Sequence, residues 1–322
     1  MRDLLEVLRL RAGVAAAIRA FFSARGYVEV ETPVLASGVA SEANISHLRT
    51  QVRVGAQTSE YYLVASPETH MKRLLADGAE RIFQIARCFR DNERTAQHNP
   101  EFSLLEWYRT GADYNDIMDD TEALLRHVAR TVRGGDLWPG EWNRWTMAEA
   151  FARCAGLDIA DRTPGALVRQ ARGAGITSVQ TDDSWEDAFF KVLLEKVEPA
   201  IKEAGPTFLY DFPAEQASLA RLKAGDGSVA ERAELYIDGI ELANGFSELT
   251  DAEEQGRRFA AEREKIRAQG LHAPAEDRRF LEALKRGMPP AAGMALGVDR
   301  LVMLVGGRAE IEDVLPFPIE QA

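Results

Sequence analysis

Two acidic residues flank a predicted tight turn late in the chain. Glu234 and Glu241 lie on either side of Asp238-Gly239, a dipeptide typical of two-residue β-hairpins. With such a turn, Glu234 pairs with Ala243, and the two carboxylates become diagonal neighbours on one face, about 7–8 Å apart at Cα. Carboxylates at this spacing favour an Mg²⁺ ion shared with phosphate groups. For these residues alone, a solvated acidic strand face is the alternative.

A second row of chemically useful side chains lies in the segment 101–110. Alternation along a strand puts Phe102, Glu106 and Tyr108 on one face, together with Leu104. An aromatic ring stacks on a base, and a carboxylate binds an ammonium group. The row therefore predicts contacts to a nucleotide and to an amine, with an ordinary half-buried strand as the alternative.

An arginine ends the preceding predicted strand, residues 81–90. Arg90 shares its face with Ala86 and Cys88, whose small side chains leave room for a ligand beside the guanidinium group. Glu248 adds a third acid beyond the hairpin and is a candidate to bind a substrate ammonium.

The segment GMALGVDR, residues 293–300, combines two glycines with an arginine. Gly293 and Gly297 flank Ala295, and Arg300 follows. Glycine at such positions predicts that another group approaches the backbone closely.

Several common nucleotide and metal motifs are absent from the sequence. It contains no GxxxxGK[ST] loop, no strand followed by GxGxxG, and no GxSxG. The five histidines are scattered without zinc spacing. Any bound nucleotide is therefore expected to have its phosphates held by arginines and Mg²⁺.

Hydrophobic periodicity and turn residues predict the elements that position these groups. Helices are expected over 2–25, 67–78, 114–133, 251–269 and 276–286, and from 298 onward. Strands are expected over 27–35, 48–54, 60–65, 81–90, 101–110, 207–212, 232–237 and 240–249.

The order of these elements predicts an α+β fold. Successive strands with short links, and no regular βαβ alternation, favour a mainly antiparallel sheet. The segment 134–200 is less periodic and is interpreted as an insertion packed on the sheet, so that residues 1–322 form a single domain.

Composition limits the class of protein. The net charge is −12, which disfavours binding of nucleic acid through bulk electrostatics. The sequence contains only two cysteines, no signal peptide and no stretch long enough for a membrane span. We therefore expect a soluble cytoplasmic protein with no membrane association.

Four segments together resemble class II aminoacyl-tRNA synthetases of the lysyl type. FRDNERTAQHNPEFSLLEWY (89–108) is similar to motif 2, ALGVDRL (295–301) to motif 3, and GYVEVETPVL (26–35) to motif 1, while ELYIDGIELANGFSEL (234–249) resembles the segment before motif 3. The resemblance implies the class II catalytic fold, a mixed, mainly antiparallel sheet flanked by helices. It also implies a homodimer built through motif 1.

The resemblance implies a role for each candidate residue. Arg90 would bridge the α-phosphate of ATP and the substrate carboxylate, Phe102 and Arg300 would enclose adenine, and Arg90, Arg300 and Glu241 would be catalytic. Mg²⁺ would bind Glu234 and Glu241. ATP contacts are expected from Arg90, Asp91, Asn92, His98, Asn99, Phe102, Glu234, Glu241, Leu242, Gly297 and Arg300. Contacts to the amino acid are expected from Ser66, Pro67, Glu68, Glu106, Tyr108, Asn244, Glu248 and Ala295.

The sequence departs from the synthetase pattern at three places. Asn92 stands where the family usually has Glu, although Glu93 follows. Motif 1 begins almost at residue 1, so no anticodon-binding domain is expected. Ala295 stands where lysyl-tRNA synthetases have glycine, and its methyl group is expected to narrow the pocket beside an α-amine.

This layout resembles truncated paralogues of lysyl-tRNA synthetase that attach (R)-β-lysine to translation elongation factor P. The resemblance implies ATP and (R)-β-lysine as substrates and elongation factor P as the acceptor, with no tRNA. An enzyme that activates lysine for another acceptor, a tRNA or a small-molecule amine, is the second interpretation. A non-catalytic binding paralogue is the third.

Overall fold

The computed structural model describes residues 4–322, so the first two residues of the predicted helix 2–25 lie outside the described residues. The helices are α1 Leu4–Ser23, α2 Glu68–Ala76, α3 Tyr114–Arg133, α4 Met147–Ala155, α5 Ala166–Gly173, α6 Trp185–Val192, α7 Glu198–Ala204, α8 Ala252–Ala268, α9 Arg278–Arg286 and α10 Val298–Gly306.

Strands alternate with these helices without a βαβ repeat. They are β1 Val28–Glu29, β2 Leu35–Ala36, β3 Arg49–Val54, β4 Gln57–Leu63, β5 Arg81–Phe89, β6 Glu101–Thr110, β7 Asn143–Thr146, β8 Thr207–Pro213, β9 Leu222–Lys223, β10 Asp226–Ile237, β11 Ile240–Ser247 and β12 Ala291–Gly297.

The chain forms two compact units. The first contains the described residues up to 137 and residues 247–322, and the second contains residues 138–246. Most of the predicted insertion, 134–200, lies in the second unit together with β8 to β10. Its interpretation as an insertion within a single domain stays a prediction.

The first unit is built on the strand order β1-β5-β6-β12, with a small separate sheet of order β2-β4-β3. β5, β6 and β12 are antiparallel, whereas β1 is parallel to β5. Phe22 of α1 stacks on Phe83 of β5 with ring centroids 4.7 Å apart, and Trp107 of β6 contacts the same ring of Phe22. These aromatic rings form the core that fixes β5 and β6.

The second unit has the strand order β11-β10-β8-β7, with β9 paired to β10. β7 is parallel to β8, and the other pairs are antiparallel. Apolar residues of α4 to α7 form its core, in which Phe151 and Phe189 stack with centroids 4.8 Å apart. Both units thus combine helices with a mixed, mostly antiparallel sheet, and the predicted α+β fold class is confirmed.

Several predicted elements match the structure closely. The predicted helix 114–133 is α3, whose first turn carries a capping box between Asp113 and Asp116. Asp238 and Gly239 form the hairpin turn, and both have positive φ, as a type I′ turn requires. Within residues 4–322, no helix is both long and apolar enough to cross a membrane.

The single strand predicted over 27–35 is wrong. The segment forms two short strands, β1 parallel to β5 and β2 antiparallel to β4, on either side of Pro33. Proline has no N–H group to continue a ladder, so the chain changes sheets there. No strand was predicted over 291–297, because its alanines and glycines carry little strand signal.

Candidate active site

A chain of hydrogen bonds links three predicted substrate residues in the first unit. The Ser66 hydroxyl donates to Oε1 of Glu106 at 2.6 Å, and the Tyr108 hydroxyl donates to Oε2 at 2.8 Å. Glu106 and Tyr108 are buried, with exposed fractions of 1% and 3%. The pairing of β5 with β6 confirms that Phe102, Glu106 and Tyr108 lie on one strand face.

A buried lysine joins two further predicted residues. Nζ of Lys72 makes ion pairs with Oε1 of Glu68 and Oε2 of Glu248. Lys72 and Glu248 are each 1% exposed. Lys72 was not predicted as a site residue, although it follows Glu68 by four positions and therefore lies on the same face of α2.

The start of α2 positions this cluster. Pro67 is the N-cap residue, and Ser66 Oγ accepts a hydrogen bond from the backbone N–H of Glu68 at 3.0 Å. The same hydroxyl therefore caps the helix and binds Glu106. Of the predicted residues Ser66, Pro67 and Glu68, the first and third contribute side chains to the cluster and the second sets the helix start.

Strand β12 forms one side of the cluster with very small residues. Ala295 lies opposite Glu106 and Gly293 lies opposite Tyr108 in the β6–β12 register. A Cβ atom on Gly293 would lie 2.3 Å from the Tyr108 ring and 2.9 Å from Oε1 of Glu248. The group that approaches Gly293 closely is thus the protein's own Tyr108, so its glycine is required by packing.

Burial raises the pKa of both carboxyl groups at the centre of the cluster. The pKa of Glu106 is raised to about 8 by burial and by the nearby Glu68 carboxylate. The pKa of Glu248 is also raised to about 8 by burial, against the opposing effect of the Lys72 ammonium. Because Glu248 contacts Lys72 directly, we assign the proton retained near neutral pH to Glu106.

Lys72 itself stays charged. Burial alone would lower its pKa, but the Glu248 and Glu68 carboxylates outweigh that effect and raise the pKa. Tyr108 has its pKa raised well above the usual range by burial and by Glu106, so its hydroxyl remains a donor.

Arg90 directly follows β5, whose neighbouring residues on the same face have small side chains. Its guanidinium carbon is 5.2 Å from the centroid of the Phe102 ring. Ala86, Cys88 and Leu104 form a small apolar cluster, against which Phe102 and Ala295 pack. Nε of Arg90 is buried and has no hydrogen-bond partner among residues 4–322, so it is available to an anionic ligand.

Arg300 is held by the loop that follows β5. Its Nη2 lies 2.7 Å from Nε2 of His98, and Nδ1 of His98 lies 2.7 Å from Oγ1 of Thr95. Burial and the Arg300 charge lower the pKa of His98, so the neutral ring accepts from Arg300 and donates to Thr95. The contact of His98 with a nucleotide stays a prediction.

Asp299 anchors the same region from the start of α10. Its Oδ1 forms an ion pair with Nη1 of Arg11 at 2.6 Å, and its Oδ2 accepts from the backbone N–H of Ser103 at 2.7 Å. Asp299 is buried, so within GMALGVDR the aspartate has a structural role, while the adenine contact of Arg300 stays a prediction.

Of the other predicted nucleotide residues of the first unit, Asp91, Asn92 and Asn99 lie in the loop after β5, and Gly297 ends β12. Asn92 has a φ of 61°, a left-handed conformation that Asn tolerates, and it donates its backbone N–H to Asp91. The neighbouring Glu93 lies 3.8 Å from Arg90. Asn99 binds the backbone of Glu101 and Ile319, and Gly297 caps α10. Their ATP contacts stay predictions.

In the second unit, the predicted register of the hairpin is correct next to the turn and wrong by one residue beyond Tyr236. Tyr236 pairs with Glu241 as predicted, but a β-bulge between Leu235 and Tyr236 places Glu234 opposite Asn244 instead of Ala243. A bulge adds one residue to one strand. Here it brings Asn244 to the face that carries Glu234.

Glu234 lies in a polar network within the second unit. Its Oε1 accepts from Nη2 of Arg232 at 2.6 Å, and its Oε2 accepts from the Tyr236 hydroxyl at 2.8 Å. Arg232 also lies 3.3 Å from Oδ1 of Asn244. The sequence analysis did not identify Arg232, although it lies at the same two-residue spacing as Glu234 and Tyr236 along β10 and so shares their face.

The carboxylates of this hairpin supply only some of the oxygen ligands that an Mg²⁺ ion needs. Each oxygen of Glu234 makes one hydrogen bond and keeps a lone pair for a cation. Among the described residues, no three His, Cys, Asp or Glu side chains come together as a metal cluster. Glu234 and Glu241 would therefore bind Mg²⁺ together with phosphate oxygens and water, as this ion prefers.

The chain belongs to the class II tRNA synthetase family of the D, K and N type, which it matches over residues 2–321. This confirms the resemblance drawn from the four motif-like segments.

Individual relatives are similar over almost their whole length. A protein of Hamiltonella defensa subsp. Acyrthosiphon pisum is 39% identical over 97% of this chain and 94% of its own. Proteins of Salmonella arizonae and Proteus mirabilis are 41% identical with the same coverage. All three are named elongation factor P–(R)-beta-lysine ligase.

Proposed function

We propose that this protein is an ATP-dependent ligase that activates (R)-β-lysine as an aminoacyl-adenylate and transfers it to a lysine side chain of elongation factor P. The family match and the names of its relatives support this proposal. Among the structural observations, the buried cluster of Glu68, Glu106 and Glu248 around Lys72 carries it.

The charges of this cluster match a diamino acid. Three carboxylates against one ammonium leave two negative charges when all four groups are ionised. A substrate with two ammonium groups neutralises them, and ionised groups are stable in a buried site only when paired. An amino acid with an apolar side chain would leave one carboxylate uncompensated.

In the first step, an oxygen of the substrate carboxylate attacks the α-phosphorus of ATP. The bond to the β-phosphate breaks, and pyrophosphate leaves. Arg90, whose buried Nε has no hydrogen-bond partner within residues 4–322, binds the carboxylate and the α-phosphate and stabilises the negative charge. Phe102 and Arg300 enclose the adenine ring, and His98 holds Arg300 in place.

Glu234 and Glu241 would hold Mg²⁺, and Leu242 and Asn244 lie on the same strand as Glu241. When bound, the ion neutralises charge on the phosphates. Arg232 and Tyr236 orient the Glu234 carboxylate through their hydrogen bonds.

In the second step, a neutral lysine amine of elongation factor P attacks the carbonyl carbon of the adenylate. The amide bond forms as the bond between the carbonyl carbon and the phosphate oxygen of AMP breaks. AMP leaves, and the amine proton is released to solvent.

We also propose that the enzyme is a cytoplasmic homodimer that does not act on tRNA. Exposed apolar residues of α1 and β1, namely Leu4, Leu5, Leu8 and Val28, support a protein interface there.

Labelled (R)-β-lysine and α-lysine, each with ATP and either elongation factor P or tRNA, test the function. We expect labelled elongation factor P with (R)-β-lysine as the better substrate. Labelling of tRNA without labelling of elongation factor P would establish the second interpretation instead. Absence of pyrophosphate exchange with either amino acid would favour a non-catalytic paralogue.

Substrate affinity should rise with pH up to about 8. Glu106 and Glu248 have pKa values raised to about 8 in the free protein, and two bound ammonium groups would favour their ionised forms. The free site therefore binds more protons than the complex, so binding releases protons and strengthens as pH increases. We expect up to about a tenfold gain in affinity per pH unit for each proton released.

Calorimetric titration in two buffers with different ionisation enthalpies measures this proton release. Glu106→Gln should release fewer protons on binding. An affinity that is constant between pH 6.5 and 8, roughly the range below the raised pKa values, would contradict the assignment.

Replacing Ala295 should relax the choice between the two lysines. The Ala295 methyl group lies on the strand face of Glu106, beside the amine-binding carboxylates. In Ala295→Gly, we expect activation of α-lysine to improve by about 1–3 kcal/mol in kcat/KM, with little change for (R)-β-lysine. Ala292→Gly, opposite Arg109 on the other face of β12, is the matched control. Unchanged α-lysine activation in Ala295→Gly would refute the steric explanation.

A further inference from the structure

Lys72 is the most unusual charged residue of the first unit. It is 1% exposed, and no other lysine or arginine within residues 4–322 is buried to this degree. Its ammonium lies 6.0 Å from the centroid of the Phe280 ring. Burying an isolated ammonium group costs free energy. Here the charge of Lys72 is neutralised by Glu68 and Glu248, two of the three carboxylates proposed to bind the substrate amines.

Lys72 forms an ion pair with each of two carboxylates of the cluster. Lys72 contacts Oε1 of Glu68 and Oε2 of Glu248. Oε1 of Glu248 is buried and has no hydrogen-bond partner among the described residues. It faces the space beside Gly293, where a Cβ would lie 2.9 Å away. This oxygen is therefore a buried acceptor beside Gly293 and the Tyr108 ring, without a partner of its own in the described part of the chain.

On the basis of the proposed function, we propose that Lys72 is a positioning residue for amine recognition. Its ammonium holds one oxygen of Glu248, so that Oε1, which has no hydrogen-bond partner among residues 4–322, remains for the substrate. It also sets the charge of the site, so that two substrate ammonium groups complete the neutralisation. Lys72 acts through the two carboxylates and is not itself a catalytic residue.

A purely structural ion pair would behave differently. Buried ion pairs can often be replaced by apolar residues with little loss, and the replacement then changes stability alone. If Lys72 positions the amine-binding carboxylates, its removal leaves three carboxylates without an internal cation. The Lys72 ammonium lowers the pKa of Glu106 and Glu248, so without it both groups would retain protons to higher pH and bind ammonium groups poorly near neutrality.

Lys72→Met tests the proposal because it keeps most of the aliphatic stem. ATP–pyrophosphate exchange with (R)-β-lysine is measured as a function of pH, together with thermal unfolding. At neutral pH, we expect KM to rise about tenfold or more with a smaller change in kcat, and the pH at which KM levels off to move up by about one unit. Arg73→Met, the next residue of α2, is the matched control and should leave the profile unchanged.

Rescue adds a measurement that a structural role would not affect. In Lys72→Ala, ethylammonium should lower KM for (R)-β-lysine by restoring the missing charge. If Lys72→Met does not fold, Lys72→Gln replaces it, since its amide can still donate to both carboxylates without charge. A pH profile parallel to that of the wild type, with reduced stability alone and no rescue, would overturn the proposal. Lack of exchange in the wild-type enzyme would instead refute the proposed function.

Discussion

Arg90→Gln should almost abolish formation of the adenylate. In ATP–pyrophosphate exchange with (R)-β-lysine, we expect kcat to fall about 10²–10³-fold, the size of effect seen when one donor to a developing anion is removed. The reason is geometric. Arg90 has a buried Nε without a hydrogen-bond partner in the described part of the chain, and its closest carboxylate, Glu93, is 3.8 Å away.

Arg87→Gln is the matched control for this change. Arg87 lies on the opposite face of the same strand, half exposed, with Glu101 3.8 Å away. Surface pairs of this kind contribute about 0–1 kcal/mol, so exchange and stability should be nearly unchanged. If Arg87→Gln and Arg90→Gln lose activity equally, or if neither does, Arg90 does not bind the reacting groups.

Gly293→Ala should disable amine recognition without touching the nucleotide residues. The new methyl group would lie 2.3 Å from the Tyr108 ring, which is buried and must shift. That shift breaks the hydrogen bond from Tyr108 to Glu106 and displaces Oε1 of Glu248. Overpacking costs about 1–3 kcal/mol, so we expect kcat/KM for (R)-β-lysine to fall about 10–100-fold.

Steady-state exchange and thermal unfolding together measure this effect. Gly13→Ala is the control, because a Cβ there meets Val132 only at 3.9 Å within a helix that alanine favours. KM for ATP should change little in Gly293→Ala. A variant with normal KM for (R)-β-lysine would show that the substrate amine binds elsewhere.

Local patterns determined much of the architecture. The alternation of residues 101–110 correctly predicted which side chains share a face of β6, because side chains of a strand alternate strictly. The Asp238-Gly239 turn and helix α3 were equally predictable, since their residues favour positive φ and helix capping. The ordered motif-like segments then indicated the class II family, which the match over residues 2–321 confirms.

Other features depend on contacts between residues far apart in sequence. From its local sequence, Lys72 is an ordinary solvated helix residue. Its burial depends on an ion pair with Glu248, which lies 176 positions later in the sequence. The requirement for glycine at position 293 comes from the Tyr108 ring on a neighbouring strand. The bulge that places Asn244 opposite Glu234 has no clear local signal either.

The sequence by itself therefore determined the residue types, the strand faces and the family. Only the tertiary structure decided how their charges combine, because a pKa raised to about 8 at Glu106 and Glu248 requires burial and like charges brought together from separate segments. The periodicity of a sequence predicts which way a side chain points. The pKa of that side chain depends on its burial and on the charges that the fold places beside it.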